Sequence, residues 1–374
     1  MMKEEILVFG AGALSLGFLG PMLSGNYKLI FCDLEIKKNL IEFLRKENNY
    51  LVNICCSTKI IPLKVFGVSG FNLSRVKERN QVKKILKKIK IIFTAVGSKG
   101  IDETLSFIEE NSGKDREEKL YVFSAENDKT IFKRWRGRLG KKIKLCDTIM
   151  GRMCRVEKTG KCYQSVGSRF KEAVIAEDFY GLPVSAKVYH QAGLKGKTWQ
   201  VMPEKEFEAR AELKLFGHNG AHLFLSHLGA LQGLTYFYQI NSKDLSEVKS
   251  FLDQEVGPAI LHQYGEFLKP IEVKKYCAKL IQRLIRRTFS DTIERGIRNS
   301  LDKITSSERL VKGAKFVLKN GITPKYFCRI IALVIKLNIK KGLLSGPVDK
   351  IISHHCRIKE KKLISLIKNN FGRR

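Results

Sequence analysis

"EILVFGAGALSLGFLG", residues 5–20, decides how the rest of the chain is read. Ile6 to Phe9 form an unbroken apolar run, the pattern of a strand buried on both faces. Glycines then punctuate the stretch before it turns apolar again, so a strand passes through a tight turn into a helix. That order is how a parallel α/β sheet begins. Gly10 permits the turn, Gly12 lets a backbone approach a ligand closely, and the third small position is Ser15, with Gly17 two residues on.

The same alternation continues downstream. "KLIFCDL" (28–34) reads as the second strand, and "IKKNLIEFLRKE" (36–47) as an amphipathic helix with Leu40, Ile41 and Leu44 on one face. "KIIFTAVG" (90–97) and "KLYVFSAEN" (119–127) read as further strands ending in small or polar residues, and "KIKLCDTIMGRM" (142–153) as one more. Residues 155–203 mix strand and loop character. From about residue 204 the periodicity is helical, with helices expected over 204–230, 243–268, 272–288, 305–319, 324–341 and 357–370. The expected fold is α/β: an N-terminal Rossmann-type parallel-sheet domain over residues 1–200, then a mostly α-helical domain over 201–374.

Composition narrows the functional classes. A hydrophobic content of 44% fits a folded globular chain. No apolar run is long enough to span a membrane, and the first residues do not read as a secretory leader, so a cytoplasmic protein without membrane partners is expected. Nine cysteines contain no CxxC pair and are expected to be reduced thiols. The net charge of +32 invites a polyanion partner. Yet the lysines are spread along the chain, in runs such as "KKILKKIK" (83–90), and no zinc-finger, RNP-type or basic-zipper pattern accompanies them. A solvated basic surface is preferred over a nucleic-acid groove.

The glycine turn gains meaning from Asp33. It ends the second strand at the spacing expected of the carboxylate that holds an adenosine ribose, while a pyrophosphate would sit at the helix N-terminus. A carboxylate there repels a 2′-phosphate, so NAD is favoured over NADP. A glycine turn in some other doubly wound protein is the blander alternative.

A second polar cluster, "KLFGHNGAH" (214–222), opens the helical half. Lys214 and His222 are eight residues apart with Asn219 between them, near enough to one helix face to converge on a pocket, whereas His218 and His227 are expected elsewhere on the helix. Taken singly, each is more often a surface or turn residue. As a set they suit carbonyl/alcohol redox chemistry, which needs a base for the alcohol proton and donors for the developing alkoxide. A lysine serves as that base when burial and neighbouring cations lower its pKa.

K-x4-N-x2-H, as Lys214, Asn219 and His222, resembles the signature of the polyol-specific long-chain dehydrogenases, the mannitol dehydrogenase family. "FGAGALSLGFLG" is similar to that family's fingerprint, "FTAVG" (93–97) to its cofactor-flanking strand end, "SAEN" (124–127) to its Ser-x-(Asp/Glu)-Asn motif, and residues 291–321 to its Arg-rich segment. The resemblance implies metal-independent, NAD-linked oxidation of a secondary hydroxyl. Lys214 would be the general acid/base, Asn127 and Asn219 would bind the reacting oxygen, and His222 would orient substrate hydroxyls. Gly10, Ala11, Gly12, Ser15, Gly17, Asp33, Val96 and Gly97 would meet the cofactor. The length resembles the branch that interconverts mannitol 1-phosphate and fructose 6-phosphate. Arg298, Lys303 and Arg309 are candidates for the substrate phosphate, the alternative being ordinary ion pairs with Asp291, Glu294 or Asp302.

The chain departs from the family's pattern at Ser15, at Leu16 where arginine is usual, at Met150-Gly151-Arg152 in place of Val-Asp-Arg, and in lacking Asn-Pro within "RRTFSDT" (286–292). Other readings are a hexuronate (tagaturonate or fructuronate) reductase of the same family, a ketopantoate-reductase-like enzyme, and a non-catalytic basic binding protein on a dehydrogenase scaffold. The expected partner is a small sugar phosphate or polyol, and the chain is expected to be a monomer or homodimer.

Overall fold

A computed structural model describes residues 3–113, 116–126, 130–159 and 162–372. The chain divides into two compact units, residues 1–204 and 205–374.

Among its described residues the first unit has twelve strands: β1 (Glu4–Phe9), β2 (Tyr27–Asp33), β3 (Asn49–Cys55), β4 (Ile60–Phe66), β5 (Val68–Asn72), β6 (Ile91–Thr94), β7 (Leu120–Ser124), β8 (Ile143–Asp147), β9 (Cys154–Lys158), β10 (Glu172–Glu177), β11 (Leu182–Ser185) and β12 (Trp199–Met202). Six of them form an all-parallel sheet in the order β5-β2-β1-β6-β7-β8. Ile6, Leu7 and Val8 are wholly buried at its centre, which is why that stretch of sequence carries no polar alternation. Helices Lys38–Glu47, Val76–Leu86 and Ile101–Asn111 connect these strands. The first of them buries Leu40, Ile41 and Leu44 as its sequence pattern requires.

Residues 49–72 carry no assignment from sequence alone, and 155–203 only a mixed one. The structure joins parts of both into a second sheet, β4-β3-β10-β9, in which β3 pairs antiparallel with β4 and parallel with β10. Neither half alternates cleanly enough to be seen alone, and the pairing spans more than a hundred residues. Arg152 ties this layer to the helical segment Ser15–Leu19 that follows β1: its guanidinium donates to the carbonyls of Gly17 (3.0 Å) and Glu177 (2.6 Å).

The second unit is helical. Glu204–Glu212 opens it, and Asn219–Leu231, Ser242–Phe251, Gly257–Tyr264, Pro270–Leu284, Arg309–Lys319, Lys325–Lys340 and Lys361–Phe371 are its longer helices. Two of the expected helices are interrupted by widened π-turns, at Leu213–His218 and Leu252–Val256. Gly220 permits close packing on Phe251, whose ring lies 2.8 Å from where a Cβ would stand. No helix among the described residues is long and apolar enough to cross a membrane.

Candidate active site

In the first unit, β1 delivers the chain to Gly10, whose φ of +97° and approach to the Ala95 carbonyl (2.3 Å from a built Cβ) exclude a side chain. At Gly12 an added Cβ would meet nothing within 4 Å, so the turn leaves open space at the start of a helix, where N–H groups point outward. Ser15 is fully buried, and its hydroxyl oxygen accepts from the Gly12 N–H at 3.0 Å, locking the turn. Asp33, at the end of β2, accepts from Ala11 N–H (2.7 Å) and Leu34 N–H (2.7 Å). Gly10, Ala11, Gly12 and Asp33 thus gather at one corner of the sheet. These residues fit a dinucleotide: backbone donors, an open glycine and a carboxylate lie where a pyrophosphate and ribose need them.

A Cβ on Gly17 would stand 3.0 Å from Cys154, so its smallness also serves packing of the helical segment Ser15–Leu19 on the second sheet. Val96 and Gly97 follow β6, and both donate their N–H groups to Glu126 (2.7 Å to Val96; 3.1 and 3.2 Å to Gly97). Glu126 carries no role in the sequence analysis; the structure makes it the brace of this strand end. Asn127 lies outside the described residues.

In the second unit, Lys214 sits half-buried in the π-turn Leu213–His218. In a regular α-helix, residues five apart point about 140° away from each other. Here the Asn219 N–H donates to the Lys214 carbonyl, the i→i+5 bond of a π-turn, and the extra residue is absorbed. Lys214, Asn219 and His222 are thereby brought toward one face. Such turns occur often at functional sites. His218, expected elsewhere on the helix, is four residues after Lys214 and four before His222, a spacing that sets all three on one face even in a regular helix. It lies on this ridge, with burial and then the charges of Arg283 and Lys214 holding its imidazole well below its usual range. The Asn219 Nδ2 and His218 Nδ1 are buried with no hydrogen-bond partner among the described residues, the state expected of groups that wait for a ligand.

His222 is the best-anchored of the set. Its Nε2 lies 3.2 Å from Asp291 Oδ2, and its ring packs on Phe237 at 4.8 Å between centroids. Arg295 grips the same carboxylate with Nε (2.6 Å) and Nη2 (2.5 Å). Burial works to raise the Asp291 carboxyl, but the hydrogen bonds from His222 and Arg295 outweigh it and hold it well below the usual carboxylate range. Burial lowers His222, with the Asp291 hydrogen bond opposing, so its imidazole is neutral at pH 7. His227 is wholly buried elsewhere on the helix, its Nδ1 on the Leu223 carbonyl, and burial pushes it down to about 4.

The three phosphate candidates meet at Lys303. Its Nζ donates to the Arg298 carbonyl (2.7 Å), and burial, then the charges of Arg309 and Arg298, push its pKa down to about 8, with Arg295 adding to the effect. Arg298 is exposed, and Arg309 lies 4.0 Å from Glu308. Of the carboxylates considered as partners for these cations, Asp291 is taken by Arg295, a residue the sequence pattern does not single out, while Asp302 acts on Lys303. Its four-residue spacing from Asp291 on a short helix is the available signal.

A parallel sheet with a nucleotide-type corner is followed by a helical unit in which the half-buried Lys214 and His222 flank the buried Asn219. Residues 206–363 match the model of the mannitol dehydrogenase C-terminal domain. Over 93% of its length it is 24% identical to a mannitol-1-phosphate 5-dehydrogenase of Exiguobacterium sp., covering 92% of that protein. Its fold resembles that of the Pseudomonas fluorescens mannitol 2-dehydrogenase, solved as a ternary complex with NAD and D-mannitol, with a TM-score of 0.71 at 12% identity over 99% of this chain and 92% of that one. A 2-dehydropantoate 2-reductase from Geobacter metallireducens gives 0.53 at 12% identity over 89% of this chain and 99% of that one. Of these two structures, the mannitol 2-dehydrogenase resembles this chain's fold more closely.

Proposed function

We propose that the chain is an NAD-linked polyol dehydrogenase, and that its substrate pair is mannitol 1-phosphate and fructose 6-phosphate. The observation that carries this reading is the π-turn that joins Lys214 to Asn219 by one hydrogen bond while His222 is anchored on Asp291. Lys214, as the neutral amine, takes the hydroxyl proton as the carbon gives up its hydride, and returns it in the reverse direction. Asn219 offers its unpartnered Nδ2–H to the reacting oxygen. Bound NAD would supply the hydride acceptor, held by Gly10, Ala11, Gly12 and Asp33 at the sheet corner. The cations around Lys303 suit a phosphate with close to two negative charges. Asn127 is carried by the family resemblance alone.

The same cations would also accept a carboxylate, which keeps a hexuronate reductase as the second reading. An assay of NADH absorbance with fructose 6-phosphate, fructose and the hexuronates separates them. Turnover of fructose 6-phosphate well above the others is expected. Preference for a hexuronate would move the assignment to the second reading, and NADH binding without turnover of any of them would leave only a binding protein.

A further inference from the structure

We propose that Asp291 is a positioning residue that fixes His222 as the Nε2–H tautomer, so that Nδ1 is an acceptor reserved for a substrate hydroxyl; this rests on the dehydrogenase reading above. An ionised carboxylate only accepts hydrogen bonds, so the hydrogen in the 3.2 Å contact belongs to Nε2. A neutral imidazole carries one N–H, and Nδ1 is then a bare lone pair. A hydroxyl can donate to it, whereas an ionised phosphate or carboxylate oxygen would set lone pair against lone pair. His222 thereby selects for a hydroxyl at its position in the substrate.

Asp291 is itself committed elsewhere. A carboxylate offers roughly four acceptor sites. Oδ1 takes Arg295 Nε (2.6 Å) and Thr292 N–H (2.9 Å), while Oδ2 takes Arg295 Nη2 (2.5 Å) and His222 (3.2 Å). Nothing remains for a ligand, so its action passes through His222. Its backbone carbonyl is also held, accepting from Phe237 N–H at 3.1 Å, and Phe237 backs the imidazole. The preceding residue, Ser290, has a φ of +47°, a left-handed conformation that costs free energy in a non-glycine residue and is kept where the surroundings enforce it. The charged and titratable groups around His222 are Asp291, Arg295 and Lys303, with His218 and His227 on its own helix. With two cations in that set and the site buried, a second proton on the ring is disfavoured.

The test uses the full chain with ¹⁵N-labelled histidine, His222 being assigned by the resonance missing from His222→Gln. In the wild-type protein at pH 7.5, Nε2 is expected to carry a hydrogen that exchanges slowly with solvent, and Nδ1 to be bare. In Asp291→Asn that protection is expected to vanish. kcat/KM for fructose 6-phosphate should fall by about 10- to 100-fold from misorientation, with the NADH Kd unchanged. A protonated Nδ1, an imidazolium, or an unprotected Nε2–H in the wild type would overturn the proposal even if the variant does not fold. An unchanged pattern in folded Asp291→Asn would do the same. Absence of turnover in the wild type would strike at the dehydrogenase reading, while the histidine spectra would still decide the role of Asp291.

Discussion

The glycine corner of the first unit and the Lys214 ridge of the second handle polar groups in opposite ways. At the corner, the backbone donors are already engaged by carboxylates: Ala11 N–H by Asp33, Val96 and Gly97 N–H by Glu126. The Thr94 hydroxyl, at the end of β6, is the exception. On the ridge, Asn219 Nδ2 and His218 Nδ1 are buried without partners among the described residues. A ligand at the corner must exchange hydrogen bonds, gaining little net energy per bond, whereas one at the ridge satisfies groups whose desolvation has already been met. The corner is therefore suited to a cofactor that comes and goes, and the ridge to a reacting group whose charge changes.

The largest expected effect tests that division directly. Lys214→Ala should lower kcat by about 10²–10⁴-fold, the range of a positioned acid/base, while NAD affinity measured by calorimetry stays near wild type. Gly12→Val should do the reverse, abolishing NAD binding and leaving the ¹⁵N-histidine spectrum of the second unit unchanged. If Lys214→Ala retains activity within a few-fold of wild type, the lysine is not the base.

The two regions also differ in how far they are legible from sequence. The corner is readable because its chemistry is local: Gly10 to Ser15 are consecutive, and Asp33 is one strand away. The packing of Gly17 on Cys154 is not legible there, because a further glycine looks the same in sequence whether it meets a ligand or a neighbouring side chain. On the ridge, residue types point to the chemistry, and the four-residue spacing of Lys214, His218 and His222 sets those three on one face, but regular helical geometry would turn Asn219 away from Lys214. The π-turn, a one-residue irregularity with no sequence marker, brings Asn219 back. Asp291 and Arg295 escape notice as site residues because their partner, His222, is some seventy positions away in sequence, beyond the reach of any spacing rule.

Buried imidazoles sharpen the contrast through pH. The first unit has one histidine, His190, and it is exposed; the second buries His218 and His227 and most of His222. A histidine held below its ordinary pKa stabilises the fold above about pH 6.5, and that stability is lost as pH falls toward the folded value. For His227, pushed down to about 4, the loss is complete only below that pH, where it amounts to about 3 kcal/mol. Glu255 opposes this in the same window. It is buried at the start of the helix Lys325–Lys340, accepts from Tyr326 and Phe327 N–H, and is pushed up to about 7. Its folded form keeps a proton that the unfolded chain releases, so stability falls as pH rises from about 4.5 to 7. Urea unfolding between pH 4.5 and 7.5 should show His227→Gln with a stability that rises less with pH than wild type, and Glu255→Gln with one that rises more. Hydrogen exchange should confine both changes to residues 205–374, and equal slopes in all three proteins would remove the pH contrast between the units.

At the corner, Asp33 should set cofactor choice. A carboxylate facing a 2′-phosphate costs several kcal/mol, so wild type is expected to favour NAD, and Asp33→Ala to shift the NAD/NADP ratio of kcat/KM by roughly 100-fold. The variant also frees Ala11 N–H, the bond that a bound ribose would otherwise share with Asp33. Equal use of both cofactors by the wild type would show that the carboxylate faces something else.

The smallest effect concerns the cations of the second unit, where burial ranks three residues that the sequence could not. Lys303 is half-buried, and burial, then the press of Arg309 and Arg298, holds its pKa at about 8, so a dianionic phosphate beside it would offset both. Arg309 is also partly buried, but Glu308 already lies 4.0 Å from its Nε, whereas Arg298 is exposed and its side-chain charge is screened by solvent. Lys303→Met should therefore raise KM for fructose 6-phosphate by about tenfold while leaving KM for fructose nearly unchanged, the size of one lost charge-assisted hydrogen bond. Arg309→Met should fall short of that, and Arg298→Met should stay within about twofold. Since Lys303 is the group that titrates, its contribution should fade as pH rises through 8, and KM for the phosphorylated sugar in wild type should climb there while that of Lys303→Met stays flat. If all three variants treat the two sugars alike, the cluster around Lys303 is not the phosphate site, and a free polyol becomes the better substrate for the Lys214 ridge.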